Sequence, residues 1–237
     1  MPKTEGNHSK AQRSLDEFSP DIRSRLDAAV MDIFSNADFH QANIRDVAKK
    51  ASVSFSTIYK YYGSKEGLLF AFVGEWLGRM TERIIDHLQG IRDLKEKLRK
   101  VFWVQLDYYE RNPGLGRILF MTVPMKTWMG DETFAQRRMT GIFLDVLKQG
   151  QKEGALNPHV RAGVLLDFLH GLVQRTFFMW IYRGQEAGLA EQADTLFEMV
   201  WRAISNPQQE RGTVSLPAGS GKSQEPALGV SERSQPG

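Results

Sequence analysis

Residues 43–66, NIRDVAKKASVSFSTIYKYYGSKE, decide the fold, because the caps, buried faces and exposed chemistry of two short helices are all written into one stretch. Asn43 precedes an apolar set, Ile44, Val47, Ala48 and Ala51, that makes one face of a two-turn helix, with Asn43 placed as its cap and Asp46 in its first turn. Ser52 and Val53 break that pattern. Ser54 then offers a second N-cap, for a helix that buries Ile58 and one of Tyr61 or Tyr62 and stops at Gly63. Ser64 caps a third helix, with Glu66 in its first turn and Leu68, Leu69, Phe72 and Val73 as its apolar stripe.

What the middle helix leaves exposed is Phe55, Ser56, Thr57, Tyr59 and Lys60, next to the capping hydroxyl of Ser54. Arg45, Lys49, Lys50 and Lys65 flank it, opposed only by Asp46 and Glu66. A positively charged helix with small hydroxyl residues in its first turn suits the major groove, where Ser and Thr can bond either base edge. Tyr hydroxyls, lysines and free N–H groups at a helix start suit phosphate oxygens. Caps and lysines alone occur on any helical surface unit. Two helices joined by so short a turn, followed by YKYYGSKE, form a connected pattern that reads as a DNA-binding helix-turn-helix.

From about residue 22 to 69 the chain resembles the N-terminal domain of the TetR family of transcriptional regulators. The resemblance lies in Ala28-Ala29, Ile33-Phe34, Phe39, Ile44-Arg45-Asp46-Val47-Ala48, Val53-Ser54, Thr57-Ile58-Tyr59 and Tyr62-Gly63-Ser64-Lys65-Glu66. It implies that Arg45, Phe55, Ser56, Thr57 and Lys60 fall where the family reads bases, and that Tyr59, Tyr61 and Lys65 fall where it holds phosphates. Two positions depart from the family's pattern: Asp38 and Ser52 stand where it commonly has Gly in a φ > 0 conformation, which Asp tolerates better than Ser.

The 237 residues, 41% hydrophobic and 11% aromatic, are enough to bury a core. A formal charge of +3 makes the chain only mildly basic, so the cationic signal is local rather than that of a polycation coating nucleic acid. With no cysteine, disulfides and thiol chemistry are excluded. The N-terminus lacks the apolar core of a signal peptide, and no uninterrupted run of 18 or more apolar residues occurs. The expectation is a cytoplasmic protein with no membrane partner. Residues 1–18 and 206–237 read as disordered tails, the first with Lys10 and Arg13 as a possible DNA-reaching arm.

Between the tails the periodicity is helical throughout, so the fold class is all-α, with a helix-turn-helix domain at 19–66 and a helical ligand-binding and dimerisation domain at 67–205. Ser19-Pro20-Asp21 opens the first helix. Others run from Ser64 to about His87, from Leu94 to Asn112-Pro113, and near 132–149, 160–182 and 189–205, with Pro124 breaking the segment between. The last two are apolar nearly all round, and a chain-terminal pair is poorly placed to be wrapped by its own chain. A homodimer is therefore expected, as the resemblance also implies, with two readers about one DNA turn (roughly 34 Å) or somewhat more apart and a palindromic site on double-stranded DNA.

Phe102, Trp103, Leu106, Tyr109, Phe120, Met121, Met125, Trp128, Phe177 and Trp180 supply aromatic and thioether surface suited to an irregular cavity. Gln105, Arg117, Gln174 and Arg175 are polar anchors for it. Such residues also make plain core, and it is the resemblance that turns them into a site for an apolar small-molecule effector. GQKEGALNPHV, residues 150–160, followed by a long apolar helix, resembles more faintly the TetR-type regulators that answer to fatty acyl-CoA. No catalytic, metal or cofactor site is expected: the five histidines are scattered, no HExxH or nucleophile elbow occurs, and Gly114-Leu115-Gly116 follows a helix where a phosphate loop would follow a strand. His170, alone on an apolar helix, reads as a satisfied core residue. The alternative to a ligand-released repressor is a helical small-molecule-binding protein that no longer reads DNA, given Asp38 and Ser52.

Overall fold

The computed structural model describes residues 18–129 and 135–208, with the side chains of 129–139 left out. Of the expected tails, residues 1–17, with the N-terminal arm, and 209–237 lie outside these residues, whereas Phe18 packs on Tyr61 and the Asn206 N–H donates to Ala155 O at 3.0 Å, so both belong to the fold. Contacts divide the chain into 1–206 and 207–237. Among the described residues the fold is helical, and the single β-type pairing is an isolated bridge between Leu156 and Ser205.

Helix α1, Pro20–Asn36, starts where Ser19-Pro20 predicts: the Ser19 hydroxyl accepts from the Ile22 N–H, and proline at the first helical position has no N–H to leave unpaired. α2, Ile44–Ala51, is capped by the Asn43 side chain accepting from the Arg45 N–H and buries Ile44, Val47, Ala48 and Ala51, the predicted set. α3, Phe55–Tyr62, is capped by Ser54 and buries Ile58 and, of the two candidate tyrosines, Tyr62. α4, Lys65–Leu88, begins at the Ser64 cap and buries Leu68, Leu69, Phe72 and Val73 before running on through Trp76, Leu77 and Met80. Each fully buried aliphatic side chain stabilises this unit by about 1.5–3 kcal/mol, so Val47 and Ile58 together outweigh the loss of any single cap.

Ser52 adopts φ 54° and ψ 43°, the left-handed conformation expected there, and its N–H still bonds to Lys49 O at 3.3 Å. Asp38 does not: among the described non-glycine residues only Ser52 and Gln185 have positive φ. Its carbonyl instead accepts from the Gln41 and Ala42 N–H groups, a turn that needs no left-handed residue.

α5, Leu94–Arg111, lies against α4, and after Asn112 the chain re-enters a helix at once as α6, Pro113–Arg117. A π-helical turn, Ile118–Thr122, then leads to the break at Pro124, followed by α7, Met125–Met129, and α8, Ala135–Lys152. α9, Ala162–Tyr182, packs on α5 and α8, and α10, Ala193–Ile204, packs on α5. Gly116 permits a close approach: a Cβ there would stand 2.4 Å from the buried Phe177 ring of α9. Glu198 of α10 takes ion pairs from Lys95, at 3.0 Å, and from Arg99, and the Lys95 hydrogen bond first among these contacts holds its carboxyl below the usual range.

α9 is long and apolar enough to cross a membrane by length and composition alone, and a third of its most apolar stretch is buried inside the fold. Leu165, Leu166, Val173, Phe177 and Trp180 face inward, whereas Val164, Phe168, Phe178 and Tyr182 remain exposed, as does Met199 on α10.

Candidate nucleic-acid interface and effector cavity

The outer face of α3 carries Phe55, Ser56, Tyr59 and Lys60, all exposed, with Thr57 half-buried behind them. Phe55 and Tyr59 stack one turn apart with centroids at 5.8 Å, and the exposed Arg45 guanidinium of α2 lies 5.6 Å from the Phe55 ring. Two exposed aromatic rings, 41% and 54% accessible, the first of them beneath a guanidinium, make a surface with no purpose in the core of this unit. Ser54 spends its hydroxyl locally, accepting from the Thr57 N–H at 3.0 Å and lying 2.6 Å from the Thr57 Oγ1. It positions the helix start.

Lys65 departs from its expected role. Its ammonium is turned inward, donating to Phe39 O at 2.6 Å and Ala42 O at 3.1 Å and lying 4.3 Å from the Phe39 ring. The loop between α1 and α2 ends with carbonyls that no helix satisfies, and a cation at the start of α4 is within reach of both. Tyr61 is half-buried, edge-on to Phe18 at 4.8 Å, with Lys60 5.4 Å from its ring. Lys50 pairs with Asp32 of α1. The structure thus gathers Arg45, Phe55, Ser56, Thr57, Tyr59 and Lys60 on one face, with Ser54 at its edge and the Lys65 ammonium bonded to the loop between α1 and α2.

Inside the helical domain, Leu77, Met80, Gln105, Tyr109, Leu119, Phe120, His170, Val173 and Gln174 surround a cavity of about 110 Å³. A second, of about 20 Å³, adjoins it between α5, α8 and α9 and includes Phe102, Phe143 and Leu147. Of the residues predicted for a ligand site, Tyr109, Phe120, Gln174 and Phe102 line these spaces, with Gln105 as a polar group on both. Leu106 and Phe177 are fully buried in the core, Trp128 packs on Phe70, Trp103 on His87, and Met121 and Met125 point to solvent. A 3.6-residue repeat tells which face is apolar; it does not tell which apolar residues meet others and which meet a void. Arg175 lies over Phe178 and borders a separate space of about 360 Å³ near the end of α9. Burial pushes the Tyr109 phenol up and the His170 imidazole down, the latter opposed by Asp167.

Two segments join this cavity to the reader. Met80 lines the cavity, and one turn earlier on α4 the Trp76 indole donates to Asp27 of α1. Leu119 and Phe120 line it too, and two residues on, the Thr122 hydroxyl donates to Phe34 O at 2.7 Å while Thr122 O accepts from the Phe39 N–H at 3.0 Å. Nothing in the chain marks Thr122 as a partner of residues some ninety positions away.

A capped helix-turn-helix with an exposed aromatic and cationic face, carried on a helical bundle with an internal cavity, defines the class: a transcription regulator of the helix-turn-helix type. Residues 26–72 match the family model for bacterial regulatory proteins, tetR family. The fatty acid metabolism regulator protein of Bacillus subtilis is 22% identical over 189 residues, covering 79% of this chain and 97% of that protein. The regulator UidR of Escherichia coli K12 is 21% identical over 160 residues, 64% of this chain and 79% of its own. Among solved structures, the fatty acid degradation regulator FadR of Bacillus halodurans superposes with a TM-score of 0.67 at 16% identity, over 78% of this chain and 96% of that one. FadR of Bacillus subtilis in complex with stearoyl-CoA gives 0.64 at 19% identity, over 76% and 98%. Residues 26–72 thus carry the DNA-binding domain of the TetR family of transcriptional regulators, and the helical remainder shares the fold of such regulators. These relatives are regulators and not enzymes, which points to a non-enzyme here as well.

Proposed function

We propose that this protein is a ligand-released repressor that acts in the cytoplasm, binding a palindromic operator as a homodimer and leaving it when an apolar effector enters the cavity between α4, α5 and α9. The observation that carries this reading is the continuity of cavity wall and reader scaffold: the segments that line the cavity at Met80 and Phe120 hold α1 at Asp27 and Phe34. An occupant that pushes either segment tilts the reader relative to its partner copy. If the effector binds better to the tilted pair, DNA weakens the effector by the same factor that the effector weakens DNA.

On DNA, Ser56, Thr57 and Lys60 meet base edges with Arg45 and Phe55, while Tyr59 and the first N–H groups of α3 meet phosphates. The dimer forms through the exposed apolar faces of α9 and α10. Acyl-CoA is the leading effector candidate, supported by the likeness to the Bacillus subtilis FadR seen with stearoyl-CoA. The reading in which the helix-turn-helix no longer reads DNA loses its ground, since Ser52 adopts the turn geometry that Gly would and Asp38 does not require it.

A gel shift with the duplex upstream of the protein's own gene, at graded salt and with stearoyl-CoA added, tests the proposal. Specific binding relieved by the acyl-CoA supports it. Equal affinity for that duplex and random competitor at moderate salt overturns it.

A further inference from the structure

The two internal cavities share one partition. Gln105 of α5 and His170 and Val173 of α9 line both. Hydrocarbon walls lie on either side, Leu98, Phe102 and Leu166 beyond the partition and Leu77, Met80 and Phe120 before it.

Gln105 is only 7% exposed, and among the described residues no side-chain hydrogen bond is found for its amide, which lines both cavities. His170 has no hydrogen-bond partner there either; its ring touches Phe143 edge-on at 5.7 Å. The Gln105 amide opens on both cavities, where an apolar wall supplies it no partner and a leucine of similar size would fit without one. Polar groups kept at a loss to stability in an apolar wall mark a place where something other than folding is served.

The chemistry of the partition restricts its partner. No lysine or arginine lies among the described residues lining either cavity. Burial favours the uncharged imidazole, and the one acid acting on it, Asp167, is exposed on the same helix. Gln105 and a neutral His170 offer N–H donors and lone pairs but no net charge. A carboxylate placed against them would be a buried ion without a counter-ion, whereas a carbonyl oxygen would be satisfied.

We propose that Gln105 and His170 hold a neutral oxygen function set within a hydrocarbon, an ester or thioester carbonyl, and thereby reject the corresponding free acid. The inference rests on the effector response proposed above and specifies its ligand class. The larger cavity is smaller than the roughly 150 Å³ that admits benzene, so a longer occupant displaces the partition and spans both spaces, with its carbonyl at the displaced pair.

Calorimetric titration of the full chain with methyl octanoate and with octanoate at pH 7.5, each paired with a gel shift, decides the matter. The expected result is an ester at least about tenfold tighter than the acid, a difference of about 1.4 kcal/mol. Gln105→Leu and His170→Leu each weaken the ester by about threefold to tenfold while the thermal midpoint of the free protein holds or rises, and His170→Gln recovers part of the affinity. A merely structural pair would lower the midpoint and leave the ester-to-acid ratio alone. Octanoate binding as well as the ester, or variants that leave the ratio unchanged, overturns this inference and leaves the effector reading standing. If neither probe binds, or neither alters DNA affinity, both fall.

Discussion

α3 and α9 each present a face that the rest of the chain leaves uncovered, and the two faces differ in kind. That of α3 is Phe55, Ser56, Tyr59 and Lys60 beside Arg45: hydroxyls and cations interleaved with two rings, whose polar groups can exchange water for phosphate and base edges. That of α9 is Val164, Phe168, Phe178 and Tyr182, apolar surface whose exposure costs about 25 cal/mol per Å². The same chain thus offers one surface to a polyanion and another to a second apolar surface. A face of each kind, on helices held by one core, is what the proposed dimeric reader requires.

The largest effect is expected from breaking the apolar face. Phe168→Asp leaves the inward residues of α9 untouched but places a charge in the middle of the uncovered stripe, so the protein should sediment as a monomer at micromolar concentration. Operator affinity should then fall by about 100-fold or more, since two linked half-sites gain that much from being bound together. A dimer that survives this change would move the subunit contact away from α9.

The two lysines near α3 sharpen the comparison from the other side. Lys60→Ala should weaken operator binding by about 1–3 kcal/mol and alter base preference. Lys65→Met should act on the scaffold: loss of the charge-assisted bonds to Phe39 O and Ala42 O, about 2 kcal/mol, lowers the thermal midpoint by about 4–8 °C with the salt slope of binding unchanged. A drop of about one unit in that slope would return Lys65 to the phosphates.

Ser52→Gly should raise the midpoint by about 2–4 °C, because relieving a left-handed non-glycine residue recovers about 1 kcal/mol. A lowered midpoint in calorimetry would mean that the serine side chain stabilises the turn by more than its backbone strain costs. The smallest effect concerns His170. Its folded-state pKa is lowered by burial, so below about pH 6.5 the unfolded chain binds the proton more readily than the folded one and stability declines as pH falls. Midpoints measured from pH 7.5 to 5.5 should decline less steeply for His170→Leu; equal slopes would mean that the imidazole is solvated.

How much could be read from the chain follows the range of the interactions. The reader was legible down to single caps: Ser19, Asn43, Ser54 and Ser64 each bond the N–H two or three residues on, so cause and effect lie in one window. Ser52 was legible as a left-handed turn for the same reason. Asp38 was misjudged because the loop closes through its carbonyl, which carries no residue-type signal. The inward bonds of Lys65 were not legible because its partners, Phe39 O and Ala42 O, are backbone atoms more than twenty residues away. His170 was taken for a satisfied core residue, and only the packing of α5 and α8 against α9 leaves its ring at a shared cavity wall without a partner.

The amino-acid order alone therefore determined the helical class, the position and caps of the helix-turn-helix, and the surplus of apolar surface on the last two helices, because periodicity and capping act within a few residues. The tertiary structure alone decided which aromatic residues surround space rather than each other, which lysine is available to a partner, and that Thr122 ties the cavity wall to the reader. Those outcomes depend on where helices distant in sequence come to rest, and a local pattern carries no record of that.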